Sequence, residues 1–267
     1  MIRFTDNDFE FLKDYVGREF GIDLTKKRVL AECRMSNELE SRGISSMGEF
    51  IDLLSKDMTG SLKSALVNRL TTNYTFFMRE PRHFEFLEQQ ILPALDAQES
   101  SLYRIWCAGC ASGEECYTLA MILRHYTETR GRLPDFEIIG TDISQKVLNQ
   151  AQRGIYPMRE LEKIPPLWQK QYCRPVSDDS FMIQEELKEK VKFFRANLMK
   201  AGSLFGQYDL ILCRNVMIYF GEAARKKLLR NLYQALKPGG YLFVGHTELL
   251  PSNCELFTYV CPAVYKK

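Results

Sequence analysis

The sequence is short of net charge, of histidine and of long apolar runs. Its 36 Lys and Arg nearly balance 34 Asp and Glu, leaving +2, so no whole-molecule field would hold it on nucleic acid or an anionic membrane. A local basic patch is still allowed. No stretch approaches the roughly 18 apolar residues of a membrane span, so no membrane insertion is expected. Met1 to Asp8 turn acidic before an apolar run can form. The reading is no secretory signal and a cytoplasmic protein whose eight cysteines stay as thiols. The three histidines are His83, His125 and His246, and no second C-x-x-C accompanies Cys107 and Cys110. Four-ligand zinc is therefore not expected, and no metal is assigned. A redox pair is the lesser alternative to small residues lining a tight turn. What is present is ordinary: 267 residues, 45% hydrophobic and 26% charged. That is enough for a full-size core plus a small second domain, and it excludes disordered and fibrous classes.

The first seventy residues read as short helices. Phe9, Leu12, Val16 and Phe20 fall at helical spacing, Ser46 with Glu49 makes a capping-box pattern before Phe50, Leu53 and Leu54, and Leu62, Leu66 and Leu70 continue a later helix. Lys26, Lys27 and Arg28, with Arg34 and Arg42 further on, form either a patch for an acidic partner or a solvated face diluted by Glu32, Glu38 and Glu40. From residue 102 short apolar runs alternate with amphipathic helices, the pattern of a parallel sheet with crossover helices. The expected strands are Tyr103 to Cys107, Phe136 to Thr141, Val191 to Arg195, Tyr208 to Cys213 and Tyr241 to Gly245, with helices starting near Glu114, Gln145 and Glu222. The segment from Pro165 to Glu189 breaks the alternation and reads as an inserted β excursion turning at Ser177-Asp178-Asp179-Ser180.

Three strand ends carry chemistry. Cys107-Ala108-Gly109-Cys110-Ala111-Ser112-Gly113-Glu114-Glu115 follows the first strand, and its small residues let backbone pass close under a ligand. Glu114 and Glu115 would repel a pyrophosphate but attract a cationic group such as the ammonium or sulfonium of S-adenosylmethionine; a plain strand-helix turn is the alternative. Asp142 closes the second strand 29 residues after Gly113. There an acid can accept both hydroxyls of a ribose or cap the helix from Ser144. Arg214 and Asn215 end the fourth strand, where the carboxyl edge of an α/β sheet binds ligands.

Taken together, the residues resemble the chemotaxis receptor methyltransferases, the CheR family. The resemblance is carried by Asn73-Tyr74-Thr75-Phe76-Phe77-Met78-Arg79-Glu80, the Ser-Gly-Glu-Glu loop, Thr141-Asp142-Ile143, Gly154-Ile155-Tyr156, Cys213 to Phe220 and Leu236 to Glu248. It implies an α/β, Rossmann-like, class I S-adenosylmethionine-dependent methyltransferase sheet with a helical amino-terminal domain and a short inserted β subdomain. The implied division is 1–70 for substrate recognition, 71–92 as a linker contributing to the cofactor site, and 93–267 as the catalytic domain with the insert at about 165–190. Asn73, Thr75 and Arg79 would help close over the cofactor, with Gly109 and Gly113 in the loop beneath it. Glu115 would hold its methionine part, Asp142 the ribose, Asn197 with Leu198 the adenine edge, and Arg214 and Asn215 the sheet edge. Arg79 and Tyr219 would lie nearest the methyl. The implied reaction esterifies glutamates in the cytoplasmic domain of methyl-accepting chemotaxis receptors, with S-adenosylhomocysteine as product and the enzyme a monomer.

Two other classes stay open. A nucleic-acid methyltransferase on the same fold is disfavoured by the absence of an Asn-Pro-Pro-Tyr or Asp-Pro-Pro-Tyr motif and by the net charge, so no nucleic-acid partner is expected. A non-catalytic S-adenosylmethionine-binding signalling module, or a relative acting on another signalling protein, would share every residue above.

Overall fold

A computed structural model describes residues 2–96, 102–200, 206–251 and 254–267. The amino-terminal part is four helices: α1 (Asp6–Phe20), α2 (Arg28–Ser41), α3 (Met47–Lys56) and α4 (Ser61–Leu70). Phe9, Leu12 and Val16 of α1 pack on Met35 and Leu39 of α2, Phe50 and Leu54 of α3 and Leu66 and Leu70 of α4 in one buried cluster. Leu53, expected inside, is 41% exposed. The capping box of α3 also forms differently from its sequence pattern. Ser46 Oγ accepts from the Glu49 amide, while the Glu49 carboxylate reaches one residue further back, to the amide and hydroxyl of Ser45.

The linker enters α5 (Pro81–Phe86), whose proline takes the first-turn position where no amide partner is needed. It continues through a π turn, Leu87–Ile91, into α6 (Leu92–Asp96). The sheet then builds up as β1 (Leu102–Ala108), α7 (Glu114–Thr129), β2 (Asp135–Asp142) and α8 (Gln145–Arg153). An excursion follows: β3 (Ile155–Pro157), α9 (Met158–Leu161), α10 (Pro166–Tyr172), β4 (Cys173–Ser177), β5 (Ser180–Ile183) and α11 (Glu185–Lys188). The chain returns through β6 (Val191–Arg195), β7 (Tyr208–Cys213), α12 (Glu222–Ala235), β8 (Leu236–Val244), β9 (Thr258–Cys261) and β10 (Val264–Lys266).

Seven strands pair in the order β6-β2-β1-β7-β8-β10-β9, parallel from β6 to β8, with β10 antiparallel to both of its neighbours. The separate excursion sheet has the order β3-β5-β4. Alternate residues of each strand serve opposite faces. Ile105 and Cys107 join a core with α7, while Trp106 and Ala108 join one with α12. The architecture is the α/β, class I, Rossmann-like sheet with a helical amino-terminal part that the resemblance implied. Strand β8 starts earlier than expected, at Leu236, and carries the Pro-Gly-Gly stretch inside it, with its register to β7 slipping between Tyr208 and Leu210.

From β1 the chain runs outward to β2 and β6, then crosses back to β7 on the other side. Strand order therefore reverses between β1 and β7, and the crevice above their carboxyl ends is where such sheets take ligands.

Candidate active site

A cavity of about 890 Å³, measured out to its mouth, occupies that crevice. Its floor is Gly109, Cys110 and Ala111 after β1, Asp142 and Ile143 after β2, Ala196 to Leu198 after β6, and Arg214 to Val216 after β7. Its roof is Phe20 and Ile22 from the end of α1, Thr71 to Thr75 and Arg79 from the linker, and Tyr219 and Phe220. The structure thus gathers Asn73, Thr75, Arg79, Gly109, Glu115, Asp142, Asn197, Leu198, Arg214, Asn215 and Tyr219 around one space.

Gly113 is the exception. It does not line the cavity, and a Cβ on it would lie 2.8 Å from Ala151 Cβ and 3.0 Å from Phe193 Cζ, so its smallness serves packing of α7 on α8 and β6. Gly109 does face the site. At φ 89°, a Cβ would fall 2.4 Å from Val216 Cγ2, so a side chain would close the approach of this loop to the β7 exit.

The carboxylates differ in how they are held. Asp142 accepts from the amides of Ala111 (3.0 Å) and Ser144 (2.9 Å), one on each oxygen. Burial pushes its pKa up and those amides pull it back. Each oxygen retains a second lone pair for a ligand hydroxyl. The helix cap itself is Ser144, whose side chain accepts from the Val147 amide. Glu115, whose pKa burial also raises, faces Arg214, with Nη1 2.9 Å from Oε2.

Arg214 is more committed than its sequence position suggested. Its side chain is 2% exposed. It donates to Glu115, to Glu80 Oε2 from both Nε (3.3 Å) and Nη2 (3.2 Å), and to the Arg79 carbonyl, while lying over the Phe84 ring. Glu80 also receives Asn215 Nδ2 at 3.4 Å. On the other side Glu248, 4% exposed, accepts from the amides of Asn215, Ile218 and Gly245. Glu80 and Glu248 were not among the expected site residues, although each closes a motif quoted above. Phe20 and Ile22 were also missed, because helical spacing marks Phe20 as ordinary core.

The Asn197 carboxamide donates to the Glu19 carbonyl at 2.7 Å and accepts from the Met199 amide. It ties the end of α1 to the β6 exit. Arg79 donates to the Tyr74 carbonyl at 2.8 Å and lies over the Phe76 ring. Tyr219 donates its hydroxyl to the Thr72 carbonyl at 3.3 Å, and Lys27 Nζ sits 5.1 Å above its ring. Among the described residues the non-glycine positions with positive φ are Met78, Glu80, Ala111, Asn215 and Ala263. The first four lie at or beside this cavity, so backbone strain of about 1–3 kcal/mol each is concentrated here.

The basic patch divides. Lys27 lies over the ring of Tyr219, whereas Arg28 is paired with Asp6 (2.6 Å) and Glu32 (2.7 Å). Arg34 binds the carbonyls of Arg69, Leu70 and Thr71 and, at 3.0 Å, Thr72 Oγ1. The thiols of Cys107, Cys110 and Cys116 are free and buried, and burial raises each pKa, to about 12 for Cys107. That environment makes poor thiolate nucleophiles or ligands. Glu80, His83 and His246 also converge, but the Arg214 guanidinium already neutralises Glu80 there.

The donor set fits S-adenosylmethionine chemically. Carboxylates answer its ammonium and ribose hydroxyls, and Gly109 in the floor lets a ligand lie close to backbone.

Two family models match the chain. "CheR methyltransferase, all-alpha domain" covers residues 7–71, and "CheR methyltransferase, SAM binding domain" covers residues 73–265. The chain is 41% identical to the chemotaxis protein methyltransferase of Borreliella burgdorferi, over 100% of this chain and 96% of that one. It is 34% identical to chemotaxis protein methyltransferase 2 of Pseudomonas aeruginosa, over 98% and 93% of the two chains. It is 33% identical to the chemotaxis protein methyltransferase of Escherichia coli K12, over 98% and 91%. A match this complete, through both the helical part and the sheet that together enclose the cavity, means that the chain belongs to the CheR methyltransferase family.

Proposed function

We propose that this protein transfers a methyl group from S-adenosylmethionine to glutamate side chains in the cytoplasmic domain of methyl-accepting chemotaxis receptors, acting in the cytoplasm as a monomer. The observation that carries the reading is the placement of Asp142 and Glu115 across the Gly109–Ala111 floor from the linker residues Asn73 to Arg79. Bound S-adenosylmethionine supplies an already activated methyl on its sulfonium. A glutamate side chain, with an ordinary pKa near 4.3, is ionised at neutral pH, so the protein needs no strong general base. Its task is positioning, for which pre-oriented reactants reach effective molarities on the order of 10⁵ M or more.

In this reading Asp142 anchors the ribose and Glu115 the ammonium. Asn197, whose carboxamide is fixed by Glu19 and Met199, and Leu198 serve the adenine edge. Arg214, held between Glu115 and Glu80, orients Glu115 rather than binding ligand through its own donors. Arg79 has a planar fork matched to a carboxylate and is the candidate for orienting the incoming glutamate, a task Tyr219 shares through its hydroxyl on the same cavity. Lys26 and Lys27 are the members of the basic patch left to steer an acidic receptor helix.

The test is transfer of label from tritiated S-adenosylmethionine to a receptor cytoplasmic fragment, to RNA, or to neither. Base-labile label in the receptor is expected. Label in RNA, or binding without transfer to either, would replace this reading.

A further inference from the structure

Tyr156, the middle residue of β3, is 1% exposed and does not line the cavity. Its hydroxyl nevertheless reaches the cofactor loop from behind, donating to the Ser112 carbonyl at 2.7 Å. Ser112 in turn donates its own hydroxyl to both oxygens of Glu114, at 2.9 and 2.7 Å, in a pocket where Glu114 is 4% exposed. On the front of the same loop, the neighbouring Ala111 amide donates to Asp142. The loop backbone at residues 111–112 is thus held between an acid at the cavity and a phenol buried under it. The loop's other ties are backbone hydrogen bonds, from the Gly109 and Cys110 amides to the Thr141 carbonyl at 2.8 and 2.9 Å and from the Gly113 amide to the Cys110 carbonyl at 3.0 Å, and none of them holds the Ser112 carbonyl.

The Tyr156 ring makes the second connection. It meets Phe77 edge-on at 4.9 Å, lies 5.9 Å from Phe181 of β5, and meets Tyr117 of α7 at 6.2 Å. Phe77 is buried two residues before Arg79. One side chain of the excursion sheet therefore touches both the loop below the cavity and the linker above it. Burial keeps the phenol protonated and able to donate.

We infer that Tyr156 is a positioning residue for S-adenosylmethionine, fixing the Ser112 carbonyl so that the loop presents Ala111 and Glu115 to the cofactor in one arrangement. This rests on the reading that the Gly109–Glu115 loop holds that cofactor. It makes the small sheet a determinant of cofactor affinity, distinct from any surface it offers to a partner.

The experiment compares wild type, Tyr156→Phe and Phe181→Leu by calorimetry with S-adenosylmethionine and by steady-state methylation. Tyr156→Phe keeps the ring and deletes the hydroxyl, leaving a buried carbonyl unpaired. The dissociation constant and the cofactor KM should both rise about tenfold, while kcat at saturating cofactor and the receptor KM stay within about twofold. Phe181→Leu disturbs the same aromatic group without touching the hydroxyl, and should lower Tm with cofactor affinity unchanged. Equal affinity in folded Tyr156→Phe, or equal weakening in both variants, would overturn the assignment. Should Tyr156→Phe not fold, hydrogen exchange on wild type decides it. S-adenosylmethionine should slow exchange at the amides of residues 111–113 and of Ile155 and Tyr156 together; protection of the loop alone refutes the coupling. Wild type that binds no S-adenosylmethionine would instead refute the cofactor reading itself.

Discussion

Arg214 is clamped onto Glu80, 134 residues earlier in the chain, through two guanidinium nitrogens at 3.2 and 3.3 Å. The pair welds the linker to the end of β7, and Glu115 completes it from the start of α7. A cation so buried, serving two acids, leaves both uncompensated when removed.

Arg214→Met should therefore cost about 3–5 kcal/mol of stability, measured by urea unfolding, because Glu80 and Glu115 lose the buried cation they share. Adding Glu80→Gln to that variant should recover part of the loss. A single variant as stable as wild type would mean that the two acids find water or protons without penalty.

Arg79 makes its contacts through the Tyr74 carbonyl and the Phe76 ring. Arg79→Ala should lower turnover more than cofactor affinity, and Arg79→Lys should restore charge without restoring the fork. Wild-type methylation by both variants would remove Arg79 from glutamate orientation.

The division of the basic patch separates steering from structure. Neutralising Lys26 and Lys27 should raise the receptor KM and flatten its dependence on salt, since such steering is screened beyond about 8 Å at physiological ionic strength. Arg28→Ala should leave that dependence steep, because Arg28 is already paired with Asp6 and Glu32. Arg34→Ala should raise the cofactor KM instead, through loss of its hold on Thr71 and Thr72. Salt-titrated initial rates and calorimetry on the three variants distinguish these outcomes.

His83 is 1% exposed, and burial, then the Arg214 charge, depress its pKa to about 3. Its neutral form is the folded form, so the unfolded chain binds the extra proton below the unfolded pKa near 6.5. The stabilisation is complete above pH 6.5 and is lost progressively as pH falls toward 3, at up to about 1.4 kcal/mol per unit. Unfolding free energies between pH 7.5 and 4.5 should fall faster in wild type than in His83→Leu. Parallel profiles would show that His83 does not resist protonation in the fold.

Legibility followed the chain's own proximity. Asp142, Gly109 and Glu115 could be read because each sits at the end of an apolar run, and a parallel sheet brings all such ends to one edge. The same edge rule drew Gly113 into the site, where its real neighbours are Ala151 and Phe193. Glu80 could not be assigned, and Arg34 reads from sequence as one of the receptor-facing cations of the basic patch. The first reaches its partner across 134 residues, and the second caps α4 and the linker 35 to 38 residues on. A charge pattern on a helix does not say which cations will turn inward. Strand β8 was read short because Pro-Gly-Gly ordinarily interrupts pairing, yet here β7 accommodates it with a slipped register.

Part of the cavity roof, Phe20 and Ile22, lies within the helical amino-terminal part, while the floor belongs to the sheet. Ile22 forms a bridge with Phe220, the Asp23 amide donates to the Tyr219 carbonyl at 2.8 Å, and Lys200 pairs with Glu19 at 2.9 Å. The two parts are therefore poor units of exchange. A hybrid that takes residues 1–70 from a relative imports a foreign stretch of pocket along with α2 and its basic residues. Altered receptor choice in such a hybrid would arrive mixed with altered cofactor binding. Grafts confined to the outer face of α2 and the Thr25–Lys27 turn would change one without the other, and would inherit the seam at residues 19–23 intact.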